Sequence, residues 1–356
     1  MTVLRPVFLS NWFDNPYKNL LIEALNRQGI ESHEYFRSTF FIFNVLKKGK
    51  PKIVHLQTLH YFFASRNHLY YWLKFLLFIA QIVLLRAIGT KTVWTVHEWT
   101  DKISGGKHDL SPRQAKILGQ VLAAVVTHCE STRQEMTTAL HLKKMPEKVF
   151  VVPHGHYIDV YDNSLAAAEA KAQLNLESQS TVLLYFGGIH PSKGVLESIG
   201  AFKALASAKA TLVIAGKAGY EALREDILSA VDGVENINFI DPDEHIPDSD
   251  IQLYMNAADV VLLPYKVFTT SGVALLAMSF KKPCIAPKIG FFQDILDKSG
   301  AFLYLPNTQA DLQEAMQAAI DQRDCLAKMG LHNFELAQKY DWDGIAVKTA
   351  LIYQSL

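Results

Sequence analysis

Leu183-Leu184-Tyr185-Phe186-Gly187-Gly188-Ile189-His190-Pro191-Ser192-Lys193-Gly194 runs from an apolar strand into paired glycines and sets a lysine just before a predicted helix. Two glycines let the backbone pass close to a bulky anion, and helix-start amides then face that anion. Lys193 adds a point charge within reach of a phosphate. Glycines of this kind also serve plain tight turns, so the reading depends on what stands at the neighbouring strand ends.

Two further segments have the same character. Ala215-Gly216-Lys217 follows an apolar run, and Gly216 permits close backbone approach. Pro264-Tyr265-Lys266 leads into Thr269-Thr270-Ser271-Gly272, where a helix begins near Ser271. Its free amides, the serine hydroxyl and Lys266 are suited to hold a diphosphate together. Three such elements on one sheet edge, two with lysines, point to a phosphate site.

Around them, short apolar runs alternate with helical patterns over nearly the whole chain, as in α/β layers with parallel sheets. The runs predict strands at Val7–Leu9, Ile53–Leu56, Thr92–Val96, Ala124–Thr127 and Val149–Val152, then, after a polar passage, at Thr181–Phe186, Ala210–Ala215, Ile237–Ile240, Val260–Leu263, Pro283–Ala286 and Ala301–Leu305. Ser111-Pro112 marks a helix start, Ser131 with Gln134 has the spacing of a capping box, and Asp248 suits an N-cap. The economical organisation is two α/β domains with a cleft between them, ligands lying beyond the carboxyl ends of the strands.

With 356 residues, 49% of them hydrophobic and 20% charged, the chain suffices for two cored domains and is neither disordered nor fibrous. Its zero net charge conceals an imbalance. Residues 1–150 carry 20 Lys+Arg against 10 Asp+Glu, and residues 151–356 carry 15 against 25. A basic first half suits an anionic surface or acceptor. Cys129, Cys284 and Cys325 lack metal-ligand spacing and fit reduced thiols, so a cytoplasmic chain is expected. The run Val7-Phe8-Leu9 is too short for a secretory signal. Leu69–Leu85 is apolar but interrupted by Lys74 and Gln81. It reads as a core helix or an interfacial one, helped by Lys47, Lys48, Lys50, Lys52 and Arg66, rather than as a full span.

These residues resemble the GT-B glycosyltransferases, particularly the large group 1 (family 4-like) branch that uses nucleotide-sugar donors. Phe186 to Gly194 looks like the family's phosphate-binding turn. Asn256-Ala257-Ala258-Asp259-Val260-Val261-Leu262-Leu263-Pro264-Tyr265 matches its approach to the donor, Ala277-Met278 with Pro283 the elements after it, and Tyr340-Asp341-Trp342 through Tyr353 its closing helix. Thr95-Val96-His97-Glu98 resembles the first domain's strand end, whose histidine points at the transferred sugar. Thr270-Ser271-Gly272 with Lys266, and His154-Gly155-His156-Tyr157, are similar to a divergent bacterial exopolysaccharide branch that includes the β-mannosyltransferase of xanthan assembly. Two departures stand out: Gly188 replaces the family's usual arginine, and Phe268 and Leu276 occupy the slots of its usual glutamate pair.

The resemblance implies an α/β, GT-B fold of two Rossmann-like domains. Residues 1–160 would form the acceptor side, 175–338 the nucleotide-sugar domain, and 339–356 a helix crossing back to the first domain. It implies a hexosyltransferase moving sugar from a UDP- or GDP-sugar to a glycan, lipid-linked acceptor, in polysaccharide synthesis at the inner membrane face. Donor contacts would come from Gly187, Gly188, Lys193, Gly194, Gly216, Tyr265, Lys266, Thr270, Ser271 and Gly272. His97 would orient the sugar, and Glu98 or Asp101 would take the acceptor's proton. No cofactor or metal is expected, since Asp241-Pro242-Asp243 and Asp248-Ser249-Asp250 sit late in the chain between strand and helix. Nor is nucleic acid, because no module accompanies Lys47–Lys52. His55, His60, His68, His128 and His141 read as packed or exposed residues. The alternatives are a non-catalytic partner subunit of the same architecture and a sugar-nucleotide epimerase.

Overall fold

The computed structural model describes residues 5–10, 15–36, 38–47, 49–65, 67–99, 109–205 and 209–356. Asp101, Lys48 and Arg66 lie outside the described residues. The chain divides into two compact units, Met1–Gly155 with Tyr340–Leu356 and His156–Lys339.

The first unit is built from β1 (Val7–Ser10), α1 (Pro16–Arg27), β2 (His33–Phe36), α2 (Phe41–Leu46), β3 (Ile53–Leu56), α3 (His68–Ala87), β4 (Lys91–Thr95), α4 (Pro112–Val121), β5 (Ala124–Thr127), α5 (Glu130–Ala139) and β6 (Val149–Val151). The strands form one parallel sheet in the order β2-β1-β3-β4-β5-β6. β2 has no counterpart among the sequence-predicted strands. Its residues His33-Glu34-Tyr35-Phe36 alternate between half-buried and exposed at a sheet edge, so no apolar run announces it.

The central strands are buried on both faces, and successive residues feed opposite cores. Val7, Leu9, Val54, Leu56 and Trp94 join the cluster under α3, whereas Phe8, Ile53 and Val93 join the one under α1. Asn15 caps α1 by accepting from Lys18 N, with Pro16 at the first position. Ser111 and Gln114 form the capping box of α4. The expected box at Ser131 is not formed. Cys129 caps α5, its Sγ accepting from Thr132 N, which places Ser131 inside the first turn.

The second unit holds α6 (Ala167–Gln173), β7 (Thr181–Phe186), α7 (Val195–Ala204), β8 (Ala210–Ala215), α8 (Glu221–Val231), β9 (Ile237–Ile240), α9 (Ile251–Ala257), β10 (Val260–Leu262), α10 (Gly272–Ser279), β11 (Cys284–Pro287), α11 (Gly290–Ile295), β12 (Ala301–Tyr304), α12 (Gln309–Asp321) and α13 (Leu326–Ala337). Its parallel sheet runs β12-β11-β10-β7-β8-β9, so strand order reverses between β7 and β10. Such reversals leave a crevice beyond the carboxyl ends of the two strands. Asp248 does not cap α9. It opens a short 3-10 turn, and α9 follows from Ile251 with no side-chain cap. The last helix, α14 (Trp342–Ser355), belongs to the first unit and packs along α1.

Candidate functional site

In the second unit, the three elements singled out in the sequence converge at the β7–β10 reversal. Gly187 follows β7 with φ 104°, a conformation that favours glycine. A Cβ on Gly216, just past β8, would stand 1.9 Å from the Gly187 carbonyl oxygen. Gly194 has φ 69°, and a Cβ there would stand 2.2 Å from the Pro264 carbonyl oxygen. Lys266 N donates to Ser192 O at 2.8 Å, tying the segment after β10 to the lysine turn. Gly194 and Gly216 are thus required by backbone contacts among the three elements, and Gly187 by its own conformation.

The side chains divide into engaged and available groups. Lys193 carries its ammonium 3.5 Å from the centroid of the Tyr265 ring. Lys266, half-exposed, pairs with Glu197 at 2.6 Å. Ser271 Oγ caps α10 by accepting from Ala274 N, and it also bonds the Tyr265 hydroxyl. The serine expected to hold a ligand therefore already has work within the fold. Two other hydroxyls do not: Thr270 Oγ1 and Ser192 Oγ are buried without a protein hydrogen-bond partner. A buried hydroxyl left unpaired is costly, so both oxygens suit a polar ligand. Ser192 was absent from the sequence-derived set, because a serine before lysine carries no signal of burial.

Gly188 is exposed, and a Cβ there meets nothing within 4 Å. At the glutamate slots stand apolar groups packed into the fold. Phe268 lies 4.5 Å from the Phe292 ring and 5.9 Å from that of Tyr265, and Leu276 is buried in α10. Asp241 accepts from Arg224 Nε and Ala218 N, which gives it a structural role. Among the described residues no group of three or more His, Cys, Asp or Glu could hold a metal ion.

The first unit has its own cluster at the carboxyl ends of β3, β4, β5 and β6. His97, His128 and His154 surround the buried Tyr17 ring at centroid distances of 4.6, 5.2 and 4.8 Å. His128 Nδ1 meets Val152 O at 3.0 Å, His128 Nε2 meets His97 Nδ1 at 3.4 Å, and His97 Nε2 meets the Gln57 side chain at 2.9 Å. His55 lies between the Tyr353 and Thr95 hydroxyls at 2.6 and 2.7 Å. Burial disfavours the charged ring throughout. It lowers His97 well below its ordinary value, aided by His128, His154 and His55, and brings His55 and His128 to about 3 and His154 to about 4. His55 and His128, read from the sequence as packed or exposed residues, join His97 and His154 from different strands, and only the topology gathers them.

Glu98 is exposed beside His97, at a small cavity of about 10 Å³ lined also by Gln57, Thr58, His60 and Trp94.

Residues 180–322 match the family model described as Glycosyl transferases group 1. The chain is 24% identical over 238 residues to a D-inositol 3-phosphate glycosyltransferase of Corynebacterium glutamicum, covering 63% of this chain and 56% of that protein. It therefore spans little more than half the length of that relative. It is 23% identical over 323 residues to a GDP-mannose:glycolipid 4-beta-D-mannosyltransferase of Xanthomonas campestris pv. campestris, covering 89% and 83%. Among solved structures, Anabaena Alr3699/HepE in complex with UDP and glucose superposes with a TM-score of 0.74 at 16% identity, over 99% of this chain and 100% of that one.

Proposed function

We propose that this chain, whose residues 180–322 are a group 1 glycosyl transferase domain within a GT-B fold, moves a hexose from a nucleotide-diphosphate sugar to a hydroxyl of a lipid-linked glycan in surface-polysaccharide synthesis. One observation carries the donor half: the β7–β10 reversal brings together two close-approach glycines, the Lys193 ammonium and two buried, unpartnered hydroxyls. The nucleotide complex of the Anabaena neighbour and the donor in the Xanthomonas relative's name support the same ligand class.

In this reading Lys193 and the turn amides stabilise charge on the departing diphosphate. The bond from the anomeric carbon to phosphate oxygen breaks as the bond to the acceptor oxygen forms. Glu98 takes the acceptor's proton, and His97, whose ring nitrogens meet His128 and Gln57, orients the sugar through the Gln57 side chain. Asp101 lies outside the described residues and keeps its place only as a sequence-derived alternative to Glu98.

The acceptor half rests on α3. This helix has 20 residues, and its most apolar 18-residue stretch has a mean hydropathy of 1.6 with only 33% of its residues buried. Tyr71, Phe75, Phe78, Ile82 and Leu85 fill the core, while Leu69, Leu73, Leu76 and Leu84 lie exposed, as do Phe40 and Phe43 at α2. An exposed apolar stripe on a unit that also carries Lys47, Lys50 and Lys52 suits an anionic bilayer at the inner membrane face. Flotation with phosphatidylglycerol vesicles should recover the protein at low salt and less at high salt. Leu73→Glu with Leu76→Glu should abolish recovery, and unchanged flotation would end the membrane reading.

Thermal-shift measurements against UDP, GDP and their sugars test the donor. Stabilisation by one nucleotide class is expected. None across the panel would favour the partner-subunit reading, which the Phe268 and Leu276 packing supports.

A further inference from the structure

The first unit contains a proton order that fixes what one buried amide shows to a ligand. Val152 O is a carbonyl and only accepts, so His128 Nδ1 bears a hydrogen. Burial keeps that ring neutral, with a value near 3, so its Nε2 holds a lone pair. That lone pair faces His97 Nδ1, which must then be the donor. His97 is likewise neutral, so its Nε2 also holds a lone pair and needs a donor from Gln57.

As placed, Gln57 turns its oxygen to His97 and leaves its nitrogen unpartnered. The two amide atoms are nearly alike in shape and are assigned by the surrounding network. The histidine order reverses them. Nitrogen then faces His97, and the carbonyl oxygen takes the buried place where the nitrogen finds no acceptor. Gln57 is 1% exposed, and Thr58, 7% exposed, has an unpartnered Oγ1 as well. Both line the cavity of about 10 Å³ with Trp94, His97 and Glu98, which has room for about one water-sized group. It lies just past β3, beside the β1–β3 reversal of strand order.

We propose that Gln57 is a binding residue whose side-chain carbonyl, oriented through His97 by His128, accepts a hydrogen bond from one sugar hydroxyl, with Thr58 Oγ1 beside it. His128 is the positioning residue. The inference rests on the glycosyltransferase reading for its ligand class, and the hydroxyl comes either from the donor's hexose or from the acceptor glycan.

Long-range ¹H–¹⁵N spectra of the full chain labelled at histidine read the tautomers directly. Both His97 and His128 should carry hydrogen on Nδ1 at neutral pH, whereas Nε2–H on His97 would overturn the proposal. UDP-glucose and GDP-mannose then probe the donor source, and methyl α-D-glucopyranoside and methyl α-D-mannopyranoside the acceptor source. The compounds of one source should shift the His97 resonances. Gln57→Met should weaken that binding about tenfold, the loss of one well-placed hydrogen bond, while UDP and GDP alone bind as before. Thr58→Val, nearly isosteric, gives a second and milder test, with a loss of about threefold expected. Wild-type sugar affinity in both variants, or no sugar of either source reaching His97, would refute the role. Failure of UDP and GDP to bind at all refutes the transferase reading separately, and the methyl glycosides then decide Gln57 alone.

Discussion

Lys193 holds its ammonium over the face of Tyr265, 3.5 Å from the ring centroid, while the Tyr265 hydroxyl is tied to Ser271. The ring acts as a platform that keeps a cation at the lysine turn, a contact of about 0.5–1 kcal/mol where solvent reaches it. Lys193→Gln should therefore leave stability within about 1 kcal/mol but weaken nucleoside-diphosphate binding about tenfold and reduce its salt dependence. Tyr265→Phe keeps the platform and loses one hydrogen bond, so it should cost about 1 kcal/mol in stability and change affinity less than threefold. Calorimetric titration with UDP and GDP separates the two; equal losses in both variants would remove the platform argument.

Gly188 offers an engineering test of the same site. Its carbonyl accepts from the Tyr185 hydroxyl at 2.9 Å, an arrangement that a side chain does not disturb, and space beyond its Cα is open. Gly188→Arg should fold with stability changed by less than about 0.5 kcal/mol. If an anion passes this turn, the guanidinium should tighten UDP or GDP binding about tenfold through a charge-assisted contact. An unchanged Kd would place the diphosphate elsewhere.

Much of the second unit was legible in the sequence because its strands are continuous apolar runs ending in glycine or proline. Thr181–Phe186, Ala210–Ala215 and Ile237–Ile240 match their predicted bounds. Other features depended on spatial neighbours. The half-exposed edge strand β2 has no apolar run, and the Cys129 cap displaced the spacing signal at Ser131. Ser192 and Thr270 are notable only because burial leaves their hydroxyls without protein partners. His55, His97, His128 and His154 lie on separate strand ends, and parallel pairing at about 4.8 Å between strands is what assembles them.

Gly216 carries the sharpest backbone constraint among the site glycines, a Cβ at 1.9 Å from Gly187 O and 2.7 Å from Gly187 C. Backbone cannot swing aside as a flexible side chain would. Gly216→Ala should push the ends of β7 and β8 apart at a cost of about 3 kcal/mol. Urea unfolding followed by circular dichroism checks this, with Gly188→Ala as an open-space control expected within about 0.5 kcal/mol of wild type. The same displacement moves Gly187, so stabilisation by nucleotide should vanish in Gly216→Ala and persist in the control.

The histidine cluster makes the first unit sensitive to acid. His55, His128 and His154 have folded values of about 3, 3 and 4, and His97 is also well below 6.5. Below pH 6.5 the unfolded chain binds protons that the folded unit refuses, so stability falls as pH falls and is level above about pH 7. Each buried ring contributes a slope of up to about 1.4 kcal/mol per pH unit. Glu130, held near 2 by its bonds to Arg133 and Gln134, acts at lower pH, which leaves the window from 6.5 to 4.5 to the histidines. The described tryptophans, Trp72, Trp94, Trp99 and Trp342, belong to the first unit, and residues 156–339 contain none, so tryptophan fluorescence follows the first unit's unfolding. Urea midpoints should drop steadily from pH 6.5 to 4.5, and His154→Asn should lessen the slope by about a quarter, one ring in four. A midpoint constant between pH 7 and 5 would mean that the rings reach water or share protons in the folded state, and the neutral chain from Val152 to Gln57 would lose its basis.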